Sequence, residues 1–245
     1  MSPRILFATT LRVLLQLRHD PRTVALILIV PTGILALLAW ILSDTPGAFD
    51  EWGALLLGIF PLIAMFLITS VATLRERSGG TLERLLAMPM GKPDFLLGYG
   101  LAFGLAAAVQ AVVVSVVAFG LLGLDIAGPV WAAVLVAVVV AVLGSSLGLF
   151  VSAFAATEFQ AVQFMPALII PQLLLCGLVA PRDTLPPFLE AVSNVLPLSY
   201  AVDAMRQLTA SSTLTGEFWR DVVIVAAFVV GALVLGSLTL RRRTP

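Results

Sequence analysis

The chain has 245 residues, 60% of them hydrophobic and 11% charged, with a mean hydropathy of +1.08. A soluble domain, in which about a quarter of residues are charged, could not hide so much apolar surface. Zero formal net charge excludes a global basic field for nucleic acid, and one cysteine (Cys176) with one histidine (His19) excludes an internal disulfide and a Cys/His zinc site.

In chain order, residues 4–20 come first. Ile5, Leu6, Val13, Leu14 and Leu17 alternate with Arg4, Arg12, Arg18 and His19, which predicts a basic amphipathic helix lying in the inner membrane interface. Pro21 stops it, and His19 at its edge reads as a solvated side chain rather than a ligand. A hydrocarbon core about 30 Å thick needs roughly 20 apolar residues of helix. Six such runs follow, at 24–42, 53–74, 95–122, 130–156, 162–179 and 222–240. The first is longer than a signal-peptide core and has more than twenty residues ahead of it, so it reads as a span. Pro31, Pro61, Pro166 and Pro171 fall inside these runs and read as kinks whose freed carbonyls neighbours must satisfy.

Basic residues set the orientation. With the N-terminus inside, Arg4, Arg12, Arg18, Arg22, Arg75, Arg77, Arg84, Lys92 and Arg241 to Arg243 are inner, and only Arg182, Arg206 and Arg220 are outer. Nine of the 14 acidic residues are outer. Both termini are therefore expected in the cytoplasm.

The six runs hold no Asp, Glu, Lys, Arg or His. Proton- or sodium-driven transporters place such groups at membrane depth, where they are costly and functional, and channels need a filter or a ring of charge. The polar groups available are Gln110, Gln172 and hydroxyls such as Thr69, Ser70, Ser115, Ser145, Ser146 and Ser152. Gly144, Ser146 and Gly148 fit a GxSxG hydrolase pattern. No base accompanies Ser146, and the same glycines make a small-xxx-small packing face, a spacing repeated by Gly100 and Gly104. No catalytic residue and no metal ligand is assigned.

Between the second and third runs lies an inner loop, Arg75 to Pro93. Gly79 and Gly80 interrupt the emerging helix, Thr81 is a plausible N-cap and Glu83 suits the positive helix end. Leu82, Leu85 and Leu86 share one face, with Glu83 and Arg84 elsewhere, until Pro89 ends the turn. Such a helix is too short to stand alone. It reads equally as a turn resting in the interface or as a helix docking in a partner's groove. The segment 180–221 is expected to be a long outer loop. Pro186 and Pro187 resemble a helix start, and Phe188, Leu189, Val192, Val195 and Leu196 give an apolar face. After Pro197, Val202, Met205 and Leu208 form a second stripe, with Asp203 and Arg206 spaced to pair.

The loop residues Glu76, Arg77, Gly80, Thr81, Leu82, Glu83, Leu85, Leu86 and Pro89 resemble the hallmark of the ABC-2 type permease family, closest to its daunorubicin-resistance type. Pro197, Leu198, Ser199, Tyr200, Ala201 and Arg206 resemble its second motif, although Leu196 stands where asparagine is common. The resemblance covers nearly the whole chain. It implies a single all-α transmembrane domain over 1–245, with six spans, the interfacial helix, a short coupling helix between spans two and three and short re-entrant outer helices. It implies ATPase coupling through Glu76, Arg77, Gly80, Thr81, Leu82, Glu83, Arg84, Leu85, Leu86 and Pro89, and an outer gate at Pro197, Tyr200, Asp203 and Arg206.

Ser78, Gly79 and Gly80 mimic an ABC ATPase signature, but no phosphate-cradling GxxxxGK[ST] occurs. ATP and Mg are therefore expected on a separate ABC ATPase and no cofactor on this chain. The implied protein is a non-catalytic exporter subunit in the bacterial cytoplasmic membrane. It is expected to form a homodimer or a heterodimer with a related permease in membrane lipid, to bind no nucleic acid, and to move a drug or lipid. The alternative is a gradient-driven transporter or channel with no ATPase partner.

Overall fold

The structure is a computed structural model that describes residues 3–78 and 92–239. Its described residues form helices and connecting turns: α1 (Pro3–Arg18), α2 (Pro21–Ile41), α3 (Ala48–Leu57), α4 (Phe60–Ser78), α5 (Lys92–Gly120), α6 (Val130–Ser152), α7 (Glu158–Leu175), a 3-10 turn (Arg182–Thr184), α8 (Pro187–Ser193), α9 (Pro197–Ala210) and α10 (Gly216–Thr239). Among the described residues, six stretches are long and apolar enough to cross a membrane, α3 and α4 together supplying one of them.

The chain runs back and forth between two ends. At the α1 end, Thr10 Oγ1 lies 3.2 Å from the Gly98 carbonyl, Arg75 meets Glu158, and Arg77 donates to the Ser152 carbonyl. At the far end, the Asp125 amide donates to Asp50 at 2.9 Å and the Gly128 amide to the Leu208 carbonyl at 2.8 Å. All four tryptophans belong to this far end, in the last turn of α2 (Trp40), the second turn of α3 (Trp52) and the first turns of α6 and α10 (Trp131, Trp219). Each is exposed, the placement expected of an interfacial aromatic belt.

α4 and α6 make the centre. A Cβ added at Gly144 would fall 2.3 Å from the Leu62 carbonyl oxygen, and one at Gly148 would fall 2.6 Å from that of Phe66. These glycines therefore permit backbone-to-backbone approach of two apolar helices. The repeat at Gly100 and Gly104 does not act this way. Gly104 has nothing within 4 Å and Gly100 meets only side-chain tips, whereas Gly98 packs on Thr9, with a hypothetical Cβ 2.8 Å from Thr9 Cβ. Small-residue spacing marks a narrow face, and only the neighbour's position decides whether that face is used.

Asp20 caps α2, accepting from the Thr23 amide at 3.2 Å and the Thr23 hydroxyl at 2.6 Å. These bonds hold its carboxyl below the ordinary value of 3.8. The cap is thus fully engaged above that value and is lost only as pH falls through the lowered one.

Pro31 sits inside α2 and leaves the Ile27 carbonyl without its helical donor. Gln110 of α5 supplies one, with Nε2 at 3.1 Å. Gln110→Leu is expected to cost about 1 kcal/mol in a detergent melt; an unchanged melting curve would mean that α2 bends to satisfy its own carbonyl. The run from Gly53 to Leu74, expected to kink at Pro61, is parted into two helices at Gly58 and Ile59, just ahead of that proline. The break is where α9 seats: a Cβ at Gly58 would lie 2.9 Å from Met205 Cγ.

The helices also extend past the apolar runs and carry ionisable groups. Arg75, Glu76 and Arg77 end α4, and Glu158 opens α7. Asp221, 0% exposed, lies in the second turn of α10. It is held by Gln207 Nε2 at 3.0 Å and by Arg220 at 2.9 Å, so a buried carboxylate keeps its charge compensated.

Candidate functional site

Two polar clusters occupy opposite ends of the bundle. The α1 end is built on the last turn of α4. Glu76 Oε1 accepts from Gln16 Nε2 at 3.1 Å, and Oε2 lies 3.7 Å from Arg12 Nη1. That second distance is an ion pair rather than a hydrogen bond. Arg12 Nη2 donates to Tyr99 Oη at 2.5 Å, and its guanidinium carbon stands 5.7 Å from the centre of that ring. Tyr99 is fully buried in α5. Arg77 donates to the Ser152 carbonyl at the end of α6, where helical carbonyls lack partners. Beside it, Arg75 makes a two-pronged pair with Glu158 at 2.8 and 3.0 Å; both side chains are exposed, so water screens the pair and it adds little to stability.

Of the expected coupling residues, Glu76 and Arg77 thus tie α4 to α1 and α6, and Arg12 carries the tie on to Tyr99 of α5. Gly80, Thr81, Leu82, Glu83, Arg84, Leu85, Leu86 and Pro89 lie outside the described residues. Arg12, Gln16 and Tyr99 belong to the cluster without a local sequence signal, because each comes from a helix remote in sequence from Glu76. Glu76→Leu, which leaves the Arg12 guanidinium beside an apolar side chain, is expected to destabilise the protein by about 2 kcal/mol. Glu76→Gln, which can still accept from Gln16, is expected to cost less; equal melting of the two variants would remove the pair from this account.

The far-end cluster is built on α9, whose stripe of Val202, Met205 and Leu208 is buried against the bundle as its spacing predicts. Pro197 occupies the first turn of α9 and is itself buried. Tyr200 donates from its hydroxyl to the Asn194 carbonyl at 2.6 Å. Asp203 and Arg206, spaced to pair, do not pair. Asp203 joins Arg182 of the 3-10 turn, and Arg206 donates to the Gly177 carbonyl at 2.6 Å. Gly177 takes a φ of +90°, which turns the chain back after α7 and presents that carbonyl.

Arg182 is the residue that sequence reasoning passed over. Its guanidinium also donates to Ser193 Oγ at 3.0 Å and to Asn194 Oδ1, and it stands 5.4 Å from the Tyr200 ring centre. Ser193 donates onward to the Leu175 carbonyl at 2.8 Å. The apolar face expected of α8 is only partly used: Leu189, Val192 and Leu196 are half-buried, while Phe188 and Val195 are exposed.

Ser146 is buried with its hydroxyl on the Val142 carbonyl at 2.8 Å, which is helix packing. Among the described residues no group of His, Cys, Asp and Glu that could hold a metal ion occurs.

The sequence profile of the ABC-2 type transporter family matches residues 5–209. The chain is 28% identical over 178 residues to "ABC transporter G family member 20" of Dictyostelium discoideum, covering 72% of this chain and 24% of that protein. It is 22% identical over 178 residues to "Probable multidrug ABC transporter permease YbhS" of Escherichia coli (strain K12), covering 72% and 47%. It is 24% identical over 168 residues to "Linearmycin resistance permease protein LnrN" of Bacillus subtilis (strain 168), covering 69% and 43%. The matches span less than half the length of these relatives.

Proposed function

We propose, on the premise that this chain belongs to the ABC-2 type transporter family, that it is the membrane-spanning subunit of an ATP-driven exporter whose ATPase is another polypeptide. The observation that carries this reading is the cluster on the last turn of α4. The helix entering the loop that resembles the family's coupling segment is fastened at its end to α1 through Glu76 with Arg12 and Gln16, to α6 through Arg77 with Ser152, and by way of Arg12 to Tyr99 of α5. A push delivered to the loop at Thr81 to Leu86 would therefore move α4, α1, α5 and α6 together rather than bend one helix.

In this reading 1–245 is one transmembrane domain in the bacterial cytoplasmic membrane, with both termini inside. Two copies, or one copy and a related permease, enclose the path and bind two ATPases. The exit lies under α8 and α9, which dip into the outer rim of the bilayer, with Pro197, Tyr200, Asp203 and Arg206 as its gate. A hydrophobic or amphipathic cargo, drug or lipid, suits walls whose polar groups at depth are amides and hydroxyls. Relatives named as multidrug and linearmycin-resistance permeases support that cargo class.

Inside-out vesicles holding the chain with an ABC ATPase test the reading. Cargo uptake and cargo-stimulated hydrolysis should require ATP and both chains. Uptake driven by a proton gradient with no ATPase present would sink it in favour of a gradient-driven carrier, for which the buried Asp221 is the supporting group among the described residues.

A further inference from the structure

We infer that Arg182 is a latch that closes the far end of the bundle by pinning α8 onto α9. Apolar burial does not hold α8 in place. Of its residues only Ser193 is buried, the 3-10 turn before it buries none, and Phe188 is 76% exposed. α9, by contrast, is anchored by eight buried residues from Pro197 to Leu208. What joins the loose piece to the fixed one is polar. The Arg182 guanidinium reaches Ser193 and Asn194 at the end of α8 and Asp203 on α9, and it lies over the Tyr200 ring.

A guanidinium is suited to this task because its planar fork serves several acceptors at once. Its carboxylate partner makes one of those bonds charge-assisted. The Arg182 side chain is 16% exposed and that of Asp203 28%, so water competes weakly for these bonds. The stem of Arg182 also covers the chain leaving α7. Its Cγ stands 3.3 Å from the place a Cβ would take on Gly177, the residue after Cys176. Cys176, the residue before Gly177, is 0% exposed. Loss of the guanidinium would leave Asp203, Asn194 and Ser193 without their common donor, with the Tyr200 hydroxyl on the Asn194 carbonyl and the Ser193–Ser199 hydroxyl contact still joining the two pieces, and α8 would lift from α9 more often. The latch deepens the outer-gate reading and rests on it for its part in transport.

Cys176, the only cysteine, reports the latch without need of ATPase or cargo. In the purified full-length chain, Arg182→Gln should raise the rate of maleimide labelling at Cys176 about tenfold through local opening. Asp203→Asn keeps side-chain shape and removes the ion pair, and should raise the rate by a smaller factor. Circular dichroism and monodisperse elution confirm that each variant is folded; if Arg182→Gln fails that check, Asp203→Asn alone decides. Labelling at the wild-type rate in the folded variants overturns the latch and leaves the export reading to its vesicle assay. Faster labelling with unchanged ATP-driven uptake establishes the latch and removes the outer gate from the transport path.

Discussion

Gly144→Ala is expected to destabilise the protein by about 2–3 kcal/mol, although alanine is the better helix former by roughly 1 kcal/mol. The added methyl would sit 2.3 Å from the Leu62 carbonyl oxygen and 2.8 Å from Leu62 Cα. Both are backbone atoms of a helix, so no side chain can swing aside. The α4 and α6 axes must part, and with them the contact one helical turn on, where Gly148 faces Phe66. Gly104→Ala supplies the control. With nothing within 4 Å of its added methyl, it should be neutral or raise stability by up to about 1 kcal/mol. Thermal melts of the two variants in the same detergent decide the matter, and equal melting would mean that α4 and α6 are not as closely packed as their glycines allow.

Replacing Leu85 and Leu86 together by aspartate is expected to weaken binding of the ATPase subunit about a thousandfold or more. A leucine seated in an apolar groove contributes roughly 1.5–3 kcal/mol, and a carboxylate in its place adds a desolvation cost. Two such losses exceed the roughly 4 kcal/mol that a thousandfold represents. The measurement is co-purification of the two chains, followed by cargo-stimulated ATP hydrolysis. The control is the melting temperature of the permease alone, which should stay near wild type. Retained complex and retained stimulation would take the coupling role away from this loop.

These two substitutions differ in how far the sequence alone could have led to them. Gly144 and Gly148 are legible as a small-residue face, but so are Gly100 and Gly104, and the spacing does not say which face meets a helix. Gln110 is legible as an amide at membrane depth. That it donates to the carbonyl freed by Pro31, 83 positions away, is not. Glu76 and Arg77 stand out by resemblance, yet their partners Arg12, Gln16 and Ser152 are fixed by the meeting of α1, α4 and α6. Asp203 and Arg206 are set at a spacing that invites a pair, and the fold assigns Asp203 to Arg182 and Arg206 to a carbonyl instead.

By itself the sequence determined the six membrane-length helices, the amphipathic helix ahead of them, the buried stripe of α9 and the family. The first three follow from transfer free energy and residue periodicity summed along a continuous stretch of chain, and the family from the resemblance carried by its two motifs. Only the tertiary structure decided the break at Gly58, the helix face used by each glycine, the extension of α10 around a buried Asp221 and the convergence on Arg182. Those depend on distances between segments remote in sequence. A hydrogen bond or a steric contact changes over a few tenths of an ångström, a scale on which hydropathy carries no information.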